Sequence, residues 1–177
     1  MKRRAGVLWF APLALAGLGY AACLAGFRVN TTNSMPEGLW RVTSLTPASL
    51  HRGQIVTLCL PEEAGRLARE RGYIGSGTCP ENRGVLIKPV AAIPGDLIAI
   101  GPTGVDVNGV PIPRSDVAHV DSQSRPVRAV PPGTYRVEPG TVWVISTHDP
   151  LAYDSRYFGA VPIANLRGVA LPVLVTK

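Results

Sequence analysis

Residues 85–100 read Val85-Leu86-Ile87-Lys88-Pro89-Val90-Ala91-Ala92-Ile93-Pro94-Gly95-Asp96-Leu97-Ile98-Ala99-Ile100. Short apolar runs that contain β-branched residues and are bounded by turn residues predict strands. We expect one strand at 85–88, ended by Pro89, and a second at 96–100 after a turn at Pro94-Gly95. The segment therefore indicates a β domain.

The chain on either side of this segment has the same character. One helix is predicted, from Pro61 to Arg71, with acids at its start, arginines toward its end and Gly72 after it. Further strands are predicted at 54–60, 134–137, 141–145 and 168–175, with an Asn-Gly hairpin at 105–110, extended chain and turns at 28–50, and loops at 73–84 and 111–132. Short strands at close intervals predict a mainly β fold, a barrel or a folded sheet.

The N-terminal part of the chain predicts a membrane anchor. Residues 5–27 are uncharged and mostly apolar, and a helix of that length would reach across a hydrocarbon core of about 30 Å. Residues 2–4 are basic, which places this tip in the cytoplasm. We expect a cytoplasmic tip and transmembrane helix at 1–27 and a periplasmic domain at 28–177. A cleaved signal peptide is the alternative, and a lipoprotein modified at Cys23 is a third possibility.

The charge balance argues against a nucleic-acid partner. The formal net charge is +6, from 18 basic and 12 acidic residues, and three of the basic residues lie in the N-terminal tip. The remaining excess is small and forms no dense basic stripe, which nucleic-acid binding requires.

Two cysteines lie in the part of the chain expected outside the cytoplasm, where oxidation is permitted. A bridge between Cys59 and Cys79 would add about 3 kcal/mol of stability in the chain-entropy model. Two unpaired buried thiols are the alternative, since the sequence does not show their separation.

Ser34 and Lys88 are the candidate catalytic pair. Ser34 follows the apolar stretch by a few residues, and a serine nucleophile needs a base. The three histidines have no motif around them, and neither a Gly-x-Ser-x-Gly elbow nor a Ser-x-x-Lys pattern is present. Of the three lysines, Lys88 alone is distant from the chain ends, and lysine, unlike arginine, can deprotonate when desolvated. A snorkelling lysine at a strand end is the alternative.

Four segments give these residues a family context. They are Asn33-Ser34-Met35-Pro36, Gly53-Gln54-Ile55-Val56, residues 87–96 with Lys88 and Pro94-Gly95-Asp96, and Asp154-Ser155-Arg156-Tyr157-Phe158-Gly159. In this order and spacing they resemble the conserved boxes of type I signal peptidases, which are membrane-bound Ser/Lys proteases with a mainly β domain after a transmembrane helix. The usual form has one residue between Met and Pro. This chain lacks that residue. In this respect it resembles the subgroup encoded by conjugative transfer systems, the TraF type, which processes a pilin precursor.

The resemblance implies three catalytic roles. Ser34 is the nucleophile, Lys88 is the general base and Asp154 is the third essential residue. A structural salt bridge between Asp154 and Arg156 is the alternative for the last role. Neither a metal nor a cofactor is implied.

The resemblance also implies supporting residues. The Ser34 N–H and the Thr32 hydroxyl would form the oxyanion hole. Ser155 either holds the lysine amine or only stabilises its loop, and Met35 and Arg156 support the site. The segment 148–150, His-Asp-Pro, departs from the usual Gly-Asp-Asn and puts the surroundings of Asp154 in question.

The function implied is a serine endopeptidase of a conjugative transfer (type IV secretion) system. It would span the bacterial inner membrane once, with its catalytic domain in the periplasm. Its partners would be the membrane, a pilin or other preprotein, and the pilus assembly machinery. The acyl-enzyme would end in hydrolysis or in closure of a cyclic pilin. A non-catalytic periplasmic scaffold protein and a general signal peptidase I are the alternatives.

Overall fold

The computed structural model describes residues 7–101 and 103–176. This part of the chain forms three helices and twelve strands. The helices are α1 (Val7–Leu24), α2 (Glu62–Glu70) and α3 (Ser155–Phe158). The strands are β1 (Phe27–Asn30), β2 (Gly38–Thr43), β3 (Ile55–Leu58), β4 (Ser76–Cys79), β5 (Leu86–Ala92), β6 (Leu97–Gly101), β7 (Gly104–Val107), β8 (Val110–Pro111), β9 (Gly133–Arg136), β10 (Thr141–Val144), β11 (Val161–Pro162) and β12 (Leu166–Val175).

Eleven of the twelve described strands form two sheets, and among the described residues β4 is bridged only to Arg83. The larger sheet has the order β1-β2-β12-β3-β5-β10-β11, and the smaller has the order β8-β7-β6-β9. Neighbouring strands in both sheets pair antiparallel. The prediction of a mainly β domain is confirmed, and the helix predicted from Pro61 to Arg71 is α2.

Two strands of the larger sheet, β5 and β10, contribute to both main apolar clusters. Successive side chains of a strand point to opposite faces. In β10, Val142 and Val144 pack in one cluster and Trp143 packs in the other. In β5, Val90 and Ala92 share the buried face, but Val90 belongs to the first cluster and Ala92, at the end of the strand, to the second. These two strands therefore connect the two halves of the core.

Strand β5 continues through Pro89, where the sequence predicted its end. Val90 exchanges backbone hydrogen bonds with residues 53 and 54, on the β3 side. The nitrogen of Pro89 therefore faces β10, where the pairing has a register shift between Trp143 and Val144. The missing N–H falls at this irregularity, so the proline costs the sheet little.

The segment predicted as extended chain and turns, residues 28–50, includes most of β1 and all of β2. Strand β2 is held by pairing with β1 and with β12, its neighbours on either side in the sheet. The loop predicted at 73–84 includes β4, so that prediction was wrong for these residues. Strand β4 is short and pairs through isolated bridges to Arg83.

The N-terminal helix α1 covers Val7–Leu24 and is followed closely by β1. The basic tip at residues 2–4 lies outside the described residues. Within the described ranges, no helix has both the length and the apolar character that crossing a membrane requires.

Candidate active site

Ser34 lies in the connection between β1 and β2, and Asn30 organises this connection. Asn30 is 8% exposed and ends β1, opposite Gly38. Its Nδ2 donates hydrogen bonds of 3.0 Å to the carbonyl oxygens of both Thr32 and Met35. The Met35 side chain is buried with Trp40. The loop therefore has a fixed shape although it belongs to no regular element, and Ser34 is left half-buried at its tip.

Thr32 lies beside the nucleophile. Its Oγ1 donates a hydrogen bond of 2.8 Å to Asn30 Oδ1 and lies 3.5 Å from Ser34 Oγ. The hydroxyl predicted for the oxyanion hole is thus close to Ser34, but its hydrogen is directed at Asn30. To donate a hydrogen bond to the oxyanion, the Thr32 hydroxyl must rotate toward the substrate.

Lys88 is placed by the alternation of β5. It lies on the buried face of the strand together with Leu86 and Val90, and it is only 1% exposed. Burial lowers the pKa of Lys88 from its usual 10.5 to about 8. Asp154 acts to raise this pKa and Arg156 to lower it. Because those two charges are paired with each other, desolvation dominates.

One cavity brings the two predicted residues together. It has a volume of about 660 Å³, and its lining includes both Ser34 and Lys88. Across the described chain, no hydrogen bond joins the two side chains. Catalytic hydrogen bonds are often long in the absence of substrate and shorten in the complex. The observed link between the amine and the hydroxyl is that both residues line this cavity.

Asp154 and Arg156 form a fully buried ion pair next to this cavity. Both side chains have 0% exposure, and Arg156 Nε donates a hydrogen bond of 2.8 Å to Asp154 Oδ1. Arg156 Nη2 donates to Asp154 Oδ2 at 2.9 Å, so the pair is bidentate. Asp154 also caps α3 by accepting a bond from the Arg156 N–H. The salt bridge considered for Asp154 is present.

Ser155 is buried and faces the sheet. Its Oγ accepts a hydrogen bond of 2.9 Å from the Val144 N–H. In the described structure this hydroxyl makes no hydrogen bond to Lys88, so its observed contact fits the loop-stabilising alternative. Asp149 lines the cavity and acts to raise the pKa of Lys88. Asp149 is the one residue of the 148–150 segment that agrees with the usual Gly-Asp-Asn, so the carboxylate near the lysine is retained despite the departures at 148 and 150.

The site has a residue that sequence reasoning missed. Ser146 has 0% exposure, and its Oγ donates a hydrogen bond to the Ser34 carbonyl oxygen. Its N–H donates a bond of 3.0 Å to Asp154 Oδ2. Nothing in the sequence around Ser146 signals this contact, because its partner lies 112 positions away.

The far wall of the cavity is built from segments predicted as loops. Residues 75–78 line it, and a disulfide between Cys59 and Cys79 ties this segment to the end of β3. Asp121, from the loop at 111–132, also lines the cavity, and it accepts a hydrogen bond of 2.6 Å from the Tyr73 hydroxyl. The bridge that the sequence left open is formed, and it ties residues of the cavity wall to the end of β3.

In the part of the chain that the structure describes, no three His, Cys, Asp or Glu side chains are grouped closely enough to hold a metal ion.

The geometry can be compared with known proteins. The family model described as signal peptidase, peptidase S26, matches residues 2–175. The chain belongs to the S26 signal peptidase family. The resemblance found in the sequence is confirmed, and S26 membership indicates a serine peptidase.

Relatives within the S26 family define the subgroup as the TraF type. The chain is 38% identical to a probable conjugal transfer protein TraF of Sinorhizobium fredii, over 98% of this chain and 93% of the relative. It is 39% identical to the conjugal transfer protein TraF of Agrobacterium fabrum, over 98% and 97%. It is 38% identical to a plasmid transfer protein TraF of Escherichia coli, over 93% and 90%.

A solved structure in the same family also matches. It is a signal peptidase I from Enterococcus faecalis, with 21% identity and a TM-score of 0.40, and the match covers 72% of this chain and 98% of that one.

Proposed function

We propose that this S26 peptidase is a Ser/Lys endopeptidase in which Ser34 is the nucleophile and Lys88 is the general base. The observation behind the proposal is that the two side chains line one cavity and that burial lowers the pKa of Lys88 to about 8. An amine with this pKa is neutral in a useful fraction of molecules near physiological pH. A serine hydroxyl needs such a base to attack a peptide carbonyl.

The chemistry then proceeds in two steps. Neutral Lys88 takes the proton of Ser34 Oγ as that oxygen attacks the scissile carbonyl, and the resulting ammonium protonates the leaving amine. The Ser34 N–H, together with Thr32 Oγ1 after rotation, stabilises the oxyanion. Lys88 is then neutral again and takes a proton from the second nucleophile as that nucleophile attacks the acyl carbonyl. The Lys88 ammonium returns this proton to Ser34 Oγ as the ester bond breaks, which restores the enzyme. A water molecule as that nucleophile gives hydrolysis, and an amine of the substrate gives a cyclic product.

The substrate that we propose is a pilin precursor of a conjugative transfer system. The relatives similar over nearly the whole chain are named as conjugal or plasmid transfer proteins TraF. The Ser34-Met35-Pro36 spacing favours the same subgroup over general signal peptidases. The pilus assembly machinery would then receive the processed subunit.

We also propose that the protein acts at the inner membrane, anchored through residues 5–27, with residues 28–177 in the periplasm. The uncharged run and the basic tip before it support this arrangement. The disulfide between Cys59 and Cys79 suits an oxidising compartment. Resistance of the full chain to alkaline extraction from membranes, together with protease accessibility from the periplasmic side, is the expected result.

The test is the intact mass of the candidate pilin in cells that carry the wild-type chain, Ser34→Ala, Ser115→Ala or no copy. Ser115 is a matched control, since it is 3% exposed and bonds backbone atoms outside the cavity. We expect the precursor to be shortened with the wild type and with Ser115→Ala only. A further loss of one water would report a ring.

The same experiment addresses the non-catalytic alternative. A scaffold protein would leave pilus assembly intact in the Ser34→Ala cells, and the pilin mass would not depend on Ser34. That outcome would reject the peptidase proposal.

A further inference from the structure

Ser34 has no regular element to hold it, so its position depends on the hydrogen bonds of its loop. On one side of Met35, the Met35 carbonyl accepts a bond of 3.0 Å from Asn30 Nδ2. On the other side, the Ser34 carbonyl accepts a bond from Ser146 Oγ. These two bonds fix the peptide planes that follow the nucleophile, and with them the direction of the Ser34 side chain.

The hydroxyl of Ser146 is oriented to donate its hydrogen bond to the Ser34 carbonyl. Its Oγ accepts a hydrogen bond of 3.2 Å from the His148 N–H, so the hydroxyl hydrogen is left for the Ser34 carbonyl. Its own N–H is held by Asp154 Oδ2 at 3.0 Å. Ser146 is fully buried, so solvent does not compete for its hydroxyl.

A continuous chain of contacts therefore runs from Arg156 through Asp154 and Ser146 to Ser34. Its first link is the fully buried bidentate ion pair. Its last link reaches the backbone of the nucleophile across 112 positions of sequence. The two ends of the site, the serine loop and the Asp-Ser-Arg segment, are joined at Ser146.

We propose that Ser146 is a positioning residue, through which the Asp154–Arg156 pair holds Ser34 in the geometry for attack. The inference deepens the proposed peptidase function and rests on it for its kinetic consequence. Under this proposal, Asp154 helps to position Ser34 through Ser146 and the Ser34 backbone. This role is in addition to the effect of its charge near Lys88. Loss of the Ser146 hydroxyl loosens the nucleophile loop but leaves both the base and the cavity in place.

The experiment compares Ser146→Ala with the matched control Ser115→Ala, both in the full-length chain. Ser146→Ala keeps the N–H that Asp154 binds, so the ion pair and α3 are retained. Ser146→Cys fills a similar space, and its thiol is a weak hydrogen-bond donor. If the alanine variant fails to fold, the cysteine variant is compared with Ser115→Ala in its place. Two readouts are taken: hydrogen exchange of residues 31–37, and cleavage of a quenched fluorescent peptide that spans the pilin cleavage junction.

We expect hydrogen exchange in residues 31–37 to be roughly fivefold faster in Ser146→Ala than in the wild type, because the net loss of one hydrogen bond changes the opening equilibrium by about that factor. We expect kcat to fall between about 10- and 100-fold with KM unchanged, because a misplacement of about 1 Å costs up to that factor. The midpoint of the pH profile should not move, since Lys88 is untouched. Ser146→Cys should lie between wild type and alanine in both readouts.

Several results would overturn the inference. If hydrogen exchange in residues 31–37 is the same in Ser146→Ala as in the wild type, the bond from Ser146 does not tether the nucleophile loop. If the kcat of Ser146→Ala is within twofold of that of Ser115→Ala, the tether has no catalytic consequence. A loss seen only in KM would assign Ser146 to substrate binding. If the wild-type chain cleaves no pilin sequence while exchange still rises in Ser146→Ala, the peptidase proposal fails and the tether to Ser34 stands.

Discussion

Replacing Lys88 by methionine should stabilise the fold at neutral pH while abolishing processing. Lys88 is 1% exposed, and burial lowers its pKa from 10.5 to about 8. A tenfold change in proton affinity is worth about 1.4 kcal/mol, so folding with a protonated Lys88 costs roughly 3 kcal/mol. Methionine fills a similar volume without this charge, and it has no amine to act as a base.

The size of the effect depends on pH in a defined direction. Between about pH 8 and 10.5 the unfolded chain binds a proton at Lys88 that the folded chain does not, so wild-type stability rises with pH across this window. Below pH 8 both states are protonated and the penalty is complete. The advantage of Lys88→Met should therefore be largest at pH 7 and shrink to about 1 kcal/mol at pH 10.

Urea unfolding of the full-length protein in a mild detergent, followed by tryptophan fluorescence, measures this difference. Ser34→Ala is the control, because it also abolishes processing but should differ from wild type equally at pH 7 and pH 10. The reasoning is refuted if the difference between Lys88→Met and wild type is the same at both pH values. It is also refuted if the methionine variant is the less stable protein at pH 7.

Three further changes test the surroundings of the site. Asp154→Asn leaves the fully buried guanidinium of Arg156 without its charge partner, so the free energy of unfolding should fall by about 3–5 kcal/mol in urea titrations; an unchanged midpoint would contradict the buried pair. Replacing both Cys59 and Cys79 by serine opens a loop with a sequence separation of 20, so the free energy of unfolding should fall by about 3 kcal/mol. Equal stability of the oxidised wild type and the double variant would contradict this expectation. Asn30→Ala removes the bonds that shape the nucleophile loop, so kcat for peptide cleavage should fall at least tenfold, and wild-type kcat would argue against that role.

Local signals in the sequence predicted most of the strands. The apolar runs near Lys88 and Ile98 became β5 and β6, and the turn at Asn108-Gly109 formed with φ values of 52° and 79°. Such signals depend on neighbours in sequence, so they survive folding. The apolar neighbours of Lys88 left two possibilities, a buried lysine and a snorkelling one, and the exposure of 1% is that of a buried lysine.

The missed features depend on partners far along the chain. Residues 28–50 were predicted only as extended chain and turns, because the bounds of β2 within them depend on its pairing with β12, at the other end of the sequence. Ser146 contacts the Ser34 carbonyl although its own sequence neighbourhood has no motif. Asn30 was overlooked because an asparagine before a turn is common, and only the fold shows that its amide reaches the Met35 carbonyl. Ser155 was predicted either to hold the lysine or to stabilise its loop, and the tertiary contact with Val144 favours the second.

The pH dependence of kcat/KM for the purified full-length protein tests the Ser34–Lys88 site most directly. The activity of Ser34→Ala is subtracted, so that only turnover through the serine is counted. With Lys88 as the base, kcat/KM should rise about tenfold per pH unit below pH 8 and level off above it, with a midpoint near the pKa of about 8. A flat profile, or a midpoint near 6.5 as expected for a histidine base, would contradict Lys88 as the general base.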